Sequence, residues 1–174
     1  FAQELPIISD NNEISNAFEV SKFKKLSTKS EMIGKISFYG KAITSLDDDV
    51  RISKRLQIPS YRLRGFEKGK VGPVENNDYI GGNYLSTINI STTLPNILED
   101  LDNLDIGIFL DAANVWGIDY NSSIDDKSKI RSSAGIALNL MTPIGPLSFS
   151  FANAFTKASS DKTETFRFNL GTQF

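Results

Sequence analysis

Few side chains in this sequence could carry bond-making chemistry, and the best candidates are two short acidic runs. Asp47-Asp48-Asp49 and Asp125-Asp126 come nearest to a paired general acid and base, or to a calcium site. Neither run has the ligand spacing of a calcium loop. Both stand between strand-like segments, where clustered like charges favour a solvated turn. We therefore predict a loop tip at each place.

The composition argues against most catalytic and metal-binding classes. The 174 residues include no Cys and no His, which argues against disulfide scaffolds, thiol catalysis, transition-metal sites and a Ser-His-Asp triad. No Gly-x-Ser-x-Gly nucleophile elbow occurs. The net charge of −2 and a pI near 5.2 argue against a nucleic-acid partner. We expect no enzyme activity and no cofactor.

The elements that position these residues are indicated by alternation of apolar and polar side chains. Seven segments of about 10–14 residues alternate, which is the length of a tilted membrane strand. A partial strand at 1–5 precedes them. No apolar run is long enough for a membrane-spanning helix. The segments are 14–27, 31–44, 84–94, 105–116, 129–142, 147–155 and 165–174.

The last segment has one apolar face that reaches the end of the sequence. Phe166, Phe168, Leu170 and Phe174 share that face, as expected for a barrel strand that meets lipid. We predict an all-β fold, an antiparallel transmembrane β-barrel. A soluble β-sandwich binding module is the alternative, because its strands also alternate. Small residues on the polar faces and aromatics near strand ends favour the barrel.

Residues 50–80 interrupt the alternation. This stretch contains glycines, prolines and seven Lys or Arg residues, and it includes Arg62-Leu63-Arg64-Gly65-Phe66. An unstructured loop of this length is normally either functional or disordered. Taken alone, Arg64-Gly65-Phe66 is typical of an ordinary turn.

Several motifs in order resemble the C-terminal barrel of the BamA assembly-factor family, within the bacterial surface antigen superfamily. They are Arg64-Gly65-Phe66, Gly81-Gly82-Asn83, and the stretches 109–116, 131–138, 143–147 and 166–174. That family has a barrel of about sixteen strands. The resemblance implies that 1–174 is a C-terminal part of a longer protein's outer-membrane barrel, with about 7–8 strands and a functional loop at about 50–80.

The resemblance also implies roles for individual residues. The Arg-Gly-Phe loop would fold into the barrel lumen, where Arg64 would meet Asp111 on the wall. Alternation independently places Asp111 opposite Ile106, Ile108 and Leu110. Gly65 would permit the tight turn, and Phe66 would be an apolar anchor. The sequence departs from the family pattern in two places: Ala113 replaces a Gly, and Ser91 replaces an expected second acid.

The implied function is assembly and insertion of other β-barrel proteins in the outer membrane of a Gram-negative bacterium. Its partners would be outer-membrane lipids, unfolded barrel clients and accessory lipoproteins. The last strand would form half of a weak seam, with Gly171 as its weak point and Phe174 as a terminal aromatic signal. Trp116 and Tyr120 would belong to an interfacial aromatic belt. The alternatives are a pore that exports a partner protein and the barrel anchor of a patatin-like hydrolase.

Overall fold

The computed structural model describes residues 1–4, 13–28, 32–46, 49–94, 103–143 and 145–171. Eight strands in these ranges form one antiparallel sheet, in the order β1-β2-β3-β6-β7-β8-β9-β10. The predicted antiparallel all-β fold is confirmed. The predicted loop tip at Asp47-Asp48 and the terminal Phe174 lie outside the described residues.

The strands follow the predicted segments closely. They are β1 (Ala2–Glu4), β2 (Glu13–Lys25), β3 (Ile33–Ser45), β6 (Tyr84–Thr93), β7 (Leu104–Trp116), β8 (Arg131–Thr142), β9 (Gly145–Thr156) and β10 (Phe166–Leu170). A small hairpin, β4 (Val74–Glu75) with β5 (Asp78–Tyr79), and a 3-10 turn at Ile52–Lys54 lie between β3 and β6. Among the described residues, no helix is long and apolar enough to cross a membrane.

The sheet has an apolar face that is exposed and a polar face that is buried. We name the exposed side the outer face; it carries Phe18, Phe38, Ile88, Leu110, Ile136 and Phe151. The opposite side, the inner face, carries the buried Ser37, Thr87, Asp111, Ser133 and Ser150. A water-soluble sandwich buries its apolar faces, whereas a membrane barrel presents them to lipid. The distribution therefore agrees with the predicted barrel wall.

Residues 49–83, which we name the inner segment, cover the inner face. Their apolar side chains pack on the wall and form the core between them. The core residues are Val50, Leu56, Ile58, Leu63, Phe66 and Val71 from the inner segment, with Ile43, Leu85, Ala113 and Val115 from the sheet. The long loop predicted at 50–80 is thus packed against the sheet, not extended into solvent.

The connections differ between the two ends of the sheet. Residues 26–32, 94–103 and 143–144 connect strands at one end, which we name the short-turn end. Residues 46–83, 117–130 and 157–165 connect them at the other, the long-loop end. Outer-membrane barrels have short turns on the periplasmic side and longer loops outside. The connections at the short-turn end are shorter on average, which in an outer-membrane barrel would place that end in the periplasm.

Candidate functional site

The centre of the site is an ion pair between the inner segment and the wall. Asp111 lies in the middle of β7, and its side chain is 0% exposed. The Arg64 guanidinium donates from Nε to Oδ2 and from Nη2 to Oδ1, each at 2.8 Å, and the Arg64 backbone N–H donates to Oδ2 at 3.1 Å. Two parallel charge-assisted bonds fix both the position and the orientation of the loop.

A neutral amide, not a second acid, completes the environment of this carboxylate. Asn89 lies directly opposite Asp111 in the β6–β7 register, and its Nδ2 donates to Asp111 Oδ1 at 2.8 Å. The same Nδ2 also donates to the Arg62 carbonyl at 2.7 Å. Ser91, where we expected the missing acid, lies opposite Phe109, two residues farther along the same face. The relevant neighbour of Asp111 is therefore Asn89.

The wall also contacts Arg64 through a ring and a hydroxyl. The guanidinium carbon lies 3.4 Å from the centroid of the Phe109 ring, so the cation rests on the ring face. Ser133 Oγ donates to the Arg64 carbonyl. Phe109 of β7 thus contacts the side chain of Arg64, and Ser133 of β8 contacts its backbone.

Gly65 lets the inner segment approach the wall. Its φ of +86° lies in the left-handed region. A Cβ at this position would lie 3.1 Å from the Cβ atoms of Ala152 and Ser133. Both the conformation and the lack of space favour glycine here. The turn predicted from the Arg-Gly-Phe motif is therefore pressed against β8 and β9.

Phe66 and its neighbours join the inner segment to the loop that precedes β10. Phe66 is 1% exposed and forms a bridge with Thr163. The Glu164 N–H donates to the Gly65 carbonyl at 3.1 Å, and the Glu67 N–H donates to the Lys162 carbonyl at 3.0 Å. These backbone bonds give the loop at 157–165 a strand-like contact with the inner segment.

Arg167 connects β10 itself to the inner segment. Its side chain points to the inner face, and its guanidinium donates to the carbonyls of Ser60 and Phe66 and pairs with Glu164. The inner segment, which Asp111 attaches to β7, therefore also contacts β10 from the inner face. Alternation with Phe166 and Phe168 predicts Arg167 on the polar face, but nothing in the sequence indicates its partners.

A second buried ion pair was missed by the sequence analysis. Arg131, at the start of β8, pairs with Asp161 through Nε–Oδ2 at 2.9 Å and Nη2–Oδ1 at 3.2 Å. Their side chains are 3% and 0% exposed. Asp161 also accepts from the Gly72 N–H at 3.2 Å. Asp161 stands in Ser159-Ser160-Asp161-Lys162, a sequence typical of a turn, and nothing in it indicates a partner thirty residues away.

Arg62 is a third inner-segment cation with a defined place. It is 7% exposed, lies 4.1 Å over the Tyr39 ring, and donates to Glu19 Oε2 at 2.9 Å. Arg62 and Arg64, which are two residues apart, thus reach different parts of the wall, Arg62 towards β2 and β3 and Arg64 towards β7. The inner segment is attached across several strands.

The long-loop end contains a cluster around Asp119. Its carboxylate accepts from Arg55 Nη2 at 2.8 Å, from the Val50 N–H at 3.0 Å and from Asn83 Nδ2 at 2.8 Å. Burial alone would raise the pKa of Asp119, but these hydrogen bonds and the Arg55 charge lower the pKa below its ordinary value. The ionised carboxylate therefore stabilises the start and the end of the inner segment.

Tyr120, which we predicted to belong to an interfacial aromatic belt, is part of this cluster. The Arg55 guanidinium lies 4.6 Å over its ring, and its hydroxyl donates to Glu75. That hydrogen bond raises the pKa of the Tyr120 hydroxyl. Trp116, by contrast, stacks on Tyr84 with centroids 5.7 Å apart at the end of the wall.

The remaining acidic pair has a structural role in its loop. Asp125 is exposed and pairs with Lys129 at 2.6 Å, whereas Asp126 accepts from the Ile118 N–H at 2.8 Å. No group of three or more His, Cys, Asp or Glu within the described ranges could hold a metal ion.

The predicted seam residues lie on β10 and just after it. Phe166, Phe168 and Leu170 are on the outer face, 50%, 50% and 62% exposed, and pair with Phe151, Phe149 and Leu147 of β9. Gly171 has φ +96°, and its N–H donates to the Pro146 carbonyl at 2.9 Å. In the part of the chain that the structure describes, β10 pairs with β9 alone.

Comparison with known proteins identifies relatives of this arrangement. Residues 3–174 match the Omp85 superfamily domain. The chain is 29% identical over 139 residues to outer membrane protein assembly factor BamA of Neisseria meningitidis serogroup B, covering 64% of this chain and 17% of that protein. It is 29% identical over 115 residues to the protein of the same name from Neorickettsia risticii, covering 64% and 16%.

A solved structure is similar over almost the whole chain. The crystal structure of BamA from Haemophilus ducreyi lacking POTRA domains 1–3 aligns with a TM-score of 0.81 and 26% identity, covering 91% of this chain and 35% of that one. The chain spans about a third of that solved chain, and less than a fifth of the length of the two BamA relatives from Neisseria and Neorickettsia.

Proposed function

This chain belongs to the Omp85 superfamily, and we propose that it is the C-terminal part of an outer-membrane β-barrel that assembles and inserts other β-barrel proteins. The likeness to BamA proteins, which runs along nearly the whole sheet, carries the proposal. The protein lies in the outer membrane of a Gram-negative bacterium. The exposed outer face suits contact with that membrane's lipids.

We assign client insertion to the edge of β10 that faces away from β9, and we propose that this edge forms half of a seam that opens. A strand edge inside a membrane leaves backbone N–H and C=O groups without water, and each unsatisfied group costs several kcal/mol. An incoming client strand satisfies these groups by adding to the edge. Such a step makes and breaks only hydrogen bonds, so this part of the protein needs neither a catalytic residue nor a cofactor.

We assign to the inner segment the task of holding β10 in place while its edge stays available. Arg167 ties β10 to the carbonyls of Ser60 and Phe66, and Arg64 ties the same segment to Asp111 on the wall. Both attachments lie on the lumen side of the sheet. Neither occupies the backbone edge of β10 that a client strand would use.

The proposed partners are unfolded outer-membrane proteins, membrane lipids and accessory lipoproteins, with no nucleic acid. A pore that exports a partner protein, or the anchor of a patatin-like hydrolase, would use a similar wall. The names of the relatives favour assembly over these alternatives.

The function is tested with the full-length protein in liposomes. An unfolded eight-stranded barrel client is added with a periplasmic chaperone, and its folding is followed by heat-modifiable gel mobility. We expect folding several-fold faster than in empty liposomes. Unchanged client folding, together with transfer of a secreted partner into the liposomes, would instead establish an export pore.

Gly171 provides a sharper test of the seam. We expect Gly171→Val to slow client insertion, because valine at a φ of +96° is strained by about 1–3 kcal/mol and distorts the end of β10. Gly145→Val is the matched control. Gly145 also has a positive φ, of +119°, and open space around it, but it begins the internal strand β9. Equal slowing by both variants would refute a special role for Gly171.

A further inference from the structure

Two lysines stand on the apolar outer face of β2. Along this strand Ser15 points to the inner face and is buried, so the even-numbered residues point outwards, as the exposed Phe18 and Val20 do. Lys22 and Lys24 therefore share the face that meets lipid. Within the described residues, no acidic side chain forms an ion pair with either of them.

Beside these lysines the outer face has an apolar groove. It has a volume of about 460 Å³ and is lined by Leu26, Ile36, Ile90, Ile108 and Leu110, with Lys22 and Lys24 among the other lining residues. Gly34 has no side chain to occupy the surface, and Leu26 lies over it: a Cβ on Gly34 would be 3.1 Å from the Leu26 methyl groups. The volume is within the range of small-molecule pockets.

The groove lies at the short-turn end of the wall. Lys24 comes one residue before the end of β2 at Lys25, and its cross-strand partner Gly34 is the second residue of β3. Lysine side chains this close to a strand end reach the headgroup level of the bilayer, while their methylene stems stay in the apolar layer. The groove beside them continues towards the hydrocarbon region.

We propose that this groove binds an anionic phospholipid of the periplasmic leaflet. One acyl chain lies against Ile36, Ile90 and Ile108, and the phosphodiester lies between the ammonium groups of Lys22 and Lys24. Charge complementarity favours an anionic lipid, because the net negative charge of its headgroup attracts the ammonium groups of Lys22 and Lys24. A zwitterionic headgroup carries its own cation, which the lysines repel.

The test uses the full-length protein, delipidated in detergent and titrated with phosphatidylglycerol. Phosphatidylcholine of the same acyl chains and inorganic phosphate are titrated in parallel, and bound lipid is counted by native mass spectrometry. We expect K22Q/K24Q to bind phosphatidylglycerol about 25-fold more weakly, since each lysine near an anionic surface contributes roughly fivefold. The control K25Q/K41Q removes two charges from the inner face of β2 and β3 and should bind as the wild type does.

Equal binding of phosphatidylglycerol by K22Q/K24Q and by the control would overturn the proposal. So would equal affinity for phosphatidylcholine, or full displacement of the lipid by inorganic phosphate at the same concentration. A measurement on the wild type covers the case in which K22Q/K24Q fails to fold. Phosphatidylglycerol with a photoactivatable acyl chain should label Ile36 and Ile90, and labelling spread evenly over the outer face would refute the site. None of these readouts depends on client insertion.

Discussion

Replacing Arg64 with Ala would leave the carboxylate of Asp111 buried without its guanidinium partner. The Asp111 side chain has no exposure to solvent, and only the Asn89 amide and the backbone N–H of residue 64, both uncharged, would still donate to it. Breaking a buried ion pair from one side costs about 3–5 kcal/mol, because a charge stays desolvated and uncompensated. We expect the free energy of opening the inner segment to fall by about that amount.

The converse substitution should have a smaller effect. Asp111→Asn keeps the shape of the side chain, and the Arg64 side chain, at 20% exposure, can turn partly to water. We expect a loss of about 1–3 kcal/mol for this variant. In the double variant the two losses should not add, because no orphaned charge remains, and the coupling free energy should be about 2 kcal/mol.

The assay is hydrogen exchange on the full-length protein in micelles. The Glu67 amide, which donates to the Lys162 carbonyl, reports on opening of the inner segment. A loss of about 3–5 kcal/mol corresponds to an exchange rate roughly 200 to 5,000 times faster. Lys54→Ala is the control: it removes a cation from the exposed 3-10 turn of the same segment.

Two results would refute this reasoning. One is exchange at Glu67 in Arg64→Ala no faster than in Lys54→Ala. The other is strict additivity of the two single variants, which would mean that Arg64 and Asp111 act independently. Either result would assign the attachment of the inner segment to its apolar core.

Three further predictions concern other attachments of the inner segment. Gly65→Ala should destabilise the inner segment by about 1–3 kcal/mol, because alanine is strained at φ +86° and its Cβ would lie 3.1 Å from the Cβ atoms of Ala152 and Ser133. Gly69→Ala is the control and should cost less, since Gly69 also has a positive φ but a Cβ there would lie 3.5 Å from its nearest neighbour, Gln57 Oε1. Comparing the heat-modifiability midpoints of the two variants checks this, and equal midpoints would contradict it. Asp161→Asn should lower the same midpoint, since the 3% exposed Arg131 would lose its counter-charge at a cost of about 3–5 kcal/mol; an unchanged midpoint would show that the pair is not needed. The pKa of Asp119 is lowered in the folded protein, so its contribution to stability is complete above its ordinary pKa of 3.8 and is lost as pH falls through the lower folded value. The protection of the Val50 amide against exchange, taken relative to the intrinsic exchange rate at each pH, should therefore fall on acidification below that range in the wild type, and Asp119→Asn should show no such step.

The attachments of the inner segment connect the Arg64–Asp111 site to the proposed insertion of client strands at β10. The inner segment contacts β2 and β3 through Arg62, β7 through Arg64 and β10 through Arg167. One segment thus links the internal strands of the wall to β10. A change at Asp111 can therefore alter the position of β10 although the two do not touch, because Arg64 and Arg167 anchor one continuous stretch of chain.

Alternation in the sequence was sufficient to predict the strands and the faces of their side chains. A pleated strand turns successive side chains to opposite sides whatever surrounds it, so this property is local. The positions of the strands, the outward direction of Phe166, Phe168 and Leu170, and the shared inner face of Phe109 and Asp111 were all accessible from the residues alone.

The partners of the inner-face charges were decided by the tertiary structure. Asn89, not Ser91, lies opposite Asp111, because the register depends on pairing along the whole β6–β7 ladder. A shift of two residues keeps every side chain on the same face, so alternation alone could not distinguish Asn89 from Ser91. Asp161 meets Arg131, and Tyr120 meets Arg55, only because long loops fold back over the wall. Such contacts join residues far apart in sequence, and no local pattern encodes the path by which a loop brings them together.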